Sequence, residues 1–98
     1  MYKRHTAYKY TTDDWYPNYP IADGRIPSNV GLVRVSFLSI GNYYPPDWRV
    51  CVWGQDDCGM EKDFTSDQED EAFSCFIQVI TLEYVNRKNL EALGFGPA

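Results

Sequence analysis

His5 is the only histidine in the chain, so any Ser-His-Asp or Cys-His arrangement would have to pass through it. It sits among Lys3, Arg4 and Tyr8, a setting that fits a surface residue better than a buried catalytic base. There are three cysteines, Cys51, Cys58 and Cys75, with neither a CxxC spacing nor a histidine pair to complete a zinc site. Asp56-Asp57-Cys58 is compact, but it lacks the acidic spacing of a calcium loop, and turn chemistry explains it without a metal. Gly94-Phe95-Gly96 follows a helical segment, so it presents no helix N-terminus to a phosphate. No catalytic residue, metal site or cofactor is therefore expected, and the chain is read as a non-enzyme.

Two constellations fit binding instead. The first is acidic. Asp56, Asp57, Glu61, Asp63, Asp67, Glu69, Asp70 and Glu71 stand against the single base Lys62. Helix capping and turn chemistry explain part of this block. Glu61 and Asp63 need another reason, because they share one face of a predicted strand. Strand, turn and helix start could present a negative ridge to a basic partner, with Trp53 or exposed tyrosines as anchors. The expected partner-binding residues are Trp53, Asp56, Asp57, Glu61, Asp63, Glu69 and Asp70. The competing explanation for the same acids is a solvated surface. The second constellation alternates aromatics and bases from Tyr2 to Tyr10. Such interleaving can grip single-stranded nucleic acid. Three bases, Lys3, Arg4 and Lys9, are few for that task, and covering the sheet is the simpler role.

The elements that must position these residues follow from pattern. With 98 residues there is room for one domain, spanning 1–98. Hydrophobic residues make up 44% and aromatics 16%, enough to fill a core. A net charge of −5 argues against non-specific nucleic-acid binding, which needs Lys and Arg to neutralise phosphates. No stretch has the length of a membrane span, and no apolar leader follows Met1. These features, with an odd number of cysteines, lead to the expectation of a cytoplasmic protein with free thiols.

Residues 1–31 carry five tyrosines, Trp15, Pro17 and Pro20 without periodicity, and read as an irregular aromatic-rich segment with one short strand near Tyr8–Thr11. Residues 32–40 alternate Val33, Val35 and Phe37 onto one face of a strand. Residues 48–53 do the same with Trp48, Val50 and Val52. Gln55 to Gly59 reads as a hairpin turn in which Gly59 supplies a positive φ. A third strand, 60–64, points Met60 and Phe64 one way, Glu61 and Asp63 the other.

Ser66 and Glu69 have capping-box spacing ahead of a helix. Phe73, Phe76, Ile77 and Ile80 mark its buried face, and Asp67, Glu71, Ser74 and Gln78 its wet one. Residues 81–85 are a strand or a connector. Asn86 caps a short second helix that ends at Gly94. The predicted fold is α+β: a small antiparallel sheet of three to four strands packed against one main helix, with a short C-terminal helix.

The run from Glu61 to Glu69, leading to Phe73 and Phe76, resembles the strand-to-helix junction of some small phage anti-CRISPR proteins. The resemblance covers under a fifth of the chain, and no functional residue is carried over from it. It implies a phage- or mobile-element-encoded inhibitor in the host cytoplasm, blocking a basic nucleic-acid-binding protein or nucleoprotein complex such as a CRISPR effector. An immunity or antitoxin protein neutralising a toxin would use the same electrostatics. A small nucleic-acid-binding module built on the N-terminal segment is the third alternative.

Overall fold

The computed structural model describes residues 10–12, 20–40, 45–54 and 58–98. It is α+β, with a single antiparallel sheet in which neighbouring strands follow chain order throughout. β1 (Tyr10–Thr12) and β2 (Pro20–Ser28) precede the long β3 (Gly31–Ile40), β4 (Asp47–Trp53) and β5 (Cys58–Phe64). A 3-10 turn (Ser66–Gln68) leads into α1 (Glu69–Ile80). α2 (Arg87–Ala92) and the two-residue β6 (Gly96–Pro97) close the chain onto the outer edge of β5.

Among the described residues the sheet has six strands, where three to four were expected. The difference lies mainly in β2, which occupies the segment read as irregular. Ala22, Gly24 and Ile26 pair with Phe37, Val35 and Val33, so β2 continues the buried face of β3. Its Pro20, Gly24 and Pro27 break the usual strand signature. Proline is nevertheless tolerated at a strand start, and Pro27 uses its carbonyl to accept a hydrogen bond from the Val85 amide at 2.9 Å. The predicted strand near Tyr8–Thr11 is met in part by β1; Tyr8 and Lys9 lie outside the described residues.

Period-two alternation gives the sheet two different faces. Ala22, Ile26, Val35, Phe37, Trp48, Val50, Val52 and Phe64 are buried beneath α1, which contributes Ala72, Cys75, Phe76, Val79 and Ile80. Phe37 is the hub. Its ring stacks on Trp48 at 5.4 Å and meets Phe73 edge-on at 5.5 Å. These offset and edge contacts suit aromatic quadrupoles and add to the gain from burying large rings. The wet face of α1, with Asp67 on the turn before it and Glu71, Ser74 and Gln78, is exposed as its spacing predicts.

Two local expectations are corrected, and one left between two readings is decided. The cap before α1 is Thr65 with Gln68, one residue earlier than Ser66 with Glu69: the Gln68 side chain accepts from the Thr65 amide at 3.0 Å. Gly59 lies inside β5 and has no positive φ; among the described glycines only Gly31 and Gly94 do. Residues 81–85 are a connector, tied down by a parallel bridge between Ser28 and Val85.

α2 follows its sequence closely. Asn86 accepts from the Asn89 amide at 2.8 Å, while the Asn89 carboxamide accepts from the Asn86 amide at 3.0 Å. At the other end Gly94, at φ +96°, lets its amide reach the Glu91 carbonyl and the Phe95 amide the Leu90 carbonyl. This is a Schellman closure, completed by burial of Leu90 and Phe95.

Candidate functional site

The sheet face turned away from α1 carries a polar network built from alternate residues of neighbouring strands. Asp23 on β2 stands opposite Ser36 on β3. Its two carboxylate oxygens accept from Arg34 Nε and a terminal nitrogen, each at 2.9 Å, and one of them also accepts the Ser36 hydroxyl. Ser36 Oγ in turn accepts from the Trp53 indole N–H at 2.8 Å. Arg34 lies over the Trp53 ring, 4.9 Å from its centroid. Trp53 is thus held by an indole hydrogen bond and a cation–π contact, both organised by Asp23. Hydrogen bonding to Asp23 raises the Arg34 pKa above its ordinary value despite partial burial.

The acids predicted on β5 occupy the same face, where Arg49 of β4 meets them. Its Nε and a terminal nitrogen donate to Asp63 at 2.7 and 3.0 Å, and it approaches Glu61 at 3.2 Å. Bidentate pairing is the strong geometry for a guanidinium and a carboxylate. Glu61 and Asp63 therefore share a face with Trp53, as their spacing implies, but they share it with a cation. The hydrogen bond to Asp63 raises the Arg49 pKa, and Glu61 adds to the effect.

Glu69 and Asp70 begin α1, which packs against the other face of the sheet. The strand acids and the helix acids thus do not share one face. Asp70 is exposed, and so are its neighbours Asp67 and Glu71; none of the three makes a salt bridge among the described residues. Glu69 is half-buried, with an Oε2 that has no hydrogen-bond partner among the described residues. Burial pushes its carboxyl above the usual range, and neighbouring Asp70 adds to the rise. Asp56 and Asp57 lie outside the described residues, as do His5 and the aromatic-basic stretch Tyr2 to Lys9.

Cys75 meets the expectation of a free thiol, and Cys51 departs from it. Cys51 is fully buried and disulfide-bonded. Cys75 is free and buried on α1, where desolvation raises its thiol pKa against the opposing pull of Lys62. The side chain of Cys58 lies outside the described residues.

A cleft of about 270 Å³ opens where α2 and the connector meet the ends of β3, β4 and β5. Its lining is mainly apolar, with Val33, Val52, Met60, Val85 and Leu90 contributing. Sequence reasoning missed it, because those residues come from five separate stretches, each of which reads only as core. Among the described residues, no group of metal-ligating side chains comes together, and no helix is long and apolar enough to cross a membrane.

Comparison with protein-family models, with curated proteins and with solved structures yields no match.

Proposed function

We propose that the protein is a non-enzymatic inhibitor, encoded by a phage or mobile element, that occupies the surface of a basic nucleic-acid-binding host protein. A CRISPR effector complex is the first partner to test. The observation that carries this reading is the start of α1. Asp67, Asp70 and Glu71 are exposed there with no cation paired to them among the described residues. On the sheet, by contrast, Arg49 already offsets Glu61 and Asp63. An uncompensated acidic edge on a chain of net charge −5 suits electrostatic steering towards a positive groove.

The test is association of the purified protein with a CRISPR effector complex, followed by biolayer interferometry at low and high salt. Replacing Asp67, Asp70 and Glu71 by lysine should slow association by roughly tenfold or more at low salt and flatten the salt dependence. Thermal melts keep any loss of helix-dipole stabilisation separate from loss of binding. Binding that survives the triple reversal unchanged would remove the acidic edge from the interface. Wild-type protein that neither binds the effector nor blocks its capture of target DNA would reject that partner.

A further inference from the structure

The cleft between α2 and the sheet ends differs from an ordinary packing defect in the state of its polar lining. Ser28 Oγ donates to the Gly31 carbonyl at 2.7 Å and accepts from the Val30 amide at 3.2 Å. Asn86 accepts from the Asn89 amide in the α2 cap. Both side-chain oxygens are committed to local structure. Arg87, which also lines the cleft, is not. Its Nε reaches Glu91 at 3.3 Å in a pair that is 75% and 53% exposed, and such surface pairs are worth little. Its two terminal nitrogens have no partner among the described residues. The cleft thus combines an apolar lining with one cation that retains unspent donors.

Size narrows the occupant. A dry cavity of about 150 Å³ accommodates benzene, whereas drug-sized ligands take roughly 300 Å³ or more. At about 270 Å³ the cleft suits a body of one or two rings or a short branched chain. Charge complementarity with Arg87 supplies the remaining feature, a single carboxylate.

We infer that the cleft is a binding site for a small amphipathic monocarboxylate, with its apolar body against Val52, Met60 and Leu90 and its carboxylate on Arg87. This site stands apart from the acidic start of α1 and does not depend on the inhibitor reading.

The test compares 2-naphthylacetate with its neutral isostere 2-naphthylacetamide, titrated into the full-length protein and followed by methyl and amide NMR. The acid should shift the Val52, Met60 and Leu90 resonances and bind about 1.4-fold to fivefold tighter than the amide, the range expected for one exposed ion pair. In Arg87→Gln, a substitution at an exposed site, the two compounds should bind alike. The site is rejected if neither compound moves those resonances at millimolar concentration. The role of Arg87 is rejected if acid and amide bind alike to the wild type, or if Arg87→Gln keeps the preference for the acid.

Discussion

Ser36 sits at the centre of the polar sheet face because its hydroxyl both donates to Asp23 and accepts from Trp53. It is fully buried, so a partner left without it loses a hydrogen bond that water does not readily replace. Ser36→Ala should cost about 1–3 kcal/mol in urea unfolding. Trp53→Phe keeps most of the ring and removes the indole donor. The double variant should cost less than the sum of the two single ones, since both delete the same bond. Full additivity would show that the indole N–H and the hydroxyl do not interact in solution.

Glu69 supplies a pH dependence with a definite sign. Burial raises its folded-state pKa above the ordinary 4.5, so the folded protein holds this proton more tightly than the unfolded chain. Its contribution to stability is fully present below the unfolded value and is lost as pH rises through the folded one. Glu69→Gln cannot ionise and escapes that loss. The variant should therefore gain stability relative to wild type as pH rises above the unfolded value of 4.5, read from urea midpoints. A difference that stays flat across the range would show that burial does not penalise the charge.

At the scale of the element, the closure of α2 rests on one backbone conformation. Gly94 has φ +96°, a region that side-chain-bearing residues rarely adopt, and the Lys62 Nζ would lie 3.1 Å from an added Cβ. That ammonium donates to the Leu93 carbonyl at 3.0 Å, so it caps the same turn. The end of a lysine can move aside, whereas the φ angle cannot change without opening the Schellman bonds. Gly94→Ala should thus destabilise the protein by roughly 1–2 kcal/mol, seen as a lower melting temperature. An unchanged melt would mean that α2 contributes nothing to the cooperative unit. Two overlapping S/T-x-x-E/Q patterns exist, Thr65 to Gln68 and Ser66 to Glu69. The structure uses the earlier one and spends Ser66–Gln68 on a 3-10 turn. Local spacing fits both registers, so packing against the sheet makes the choice.

At the scale of the whole molecule, the sheet is a meander in which each strand pairs with the next in the chain. Consecutive pairing of this kind keeps closure entropy low and makes the hydrophobic pattern of each strand a reliable guide to its face. The charge distribution belongs to the same scale. A net charge of −5 hides a division between a sheet face where Arg34 and Arg49 meet Asp23, Glu61 and Asp63, and a helix start where the acids form no salt bridge among the described residues. Because that division sets the salt dependence of any encounter, the charge-reversal test concerns the start of α1 and not the acidic run as a unit.

Periodicity and capping chemistry by themselves determined α1, α2 and the core strands β3, β4 and β5, because Val33-Val35-Phe37, Trp48-Val50-Val52 and the Phe73-Phe76-Ile80 stripe each have one physical solution. They also determined that Glu61 and Asp63 share a face. Only the tertiary structure decided the rest. β2 carries two prolines and a glycine, and it is a strand because β3 offers it a partner. Arg49 lies twelve residues from Glu61 in sequence, and strand pairing alone brings the two together. The bond from Trp53 to Ser36, the disulfide at Cys51 and the cleft beside α2 likewise join residues from separate segments. Local propensity fixes which way a side chain points along its own element; what it meets there is set by neighbours that the chain brings in from elsewhere.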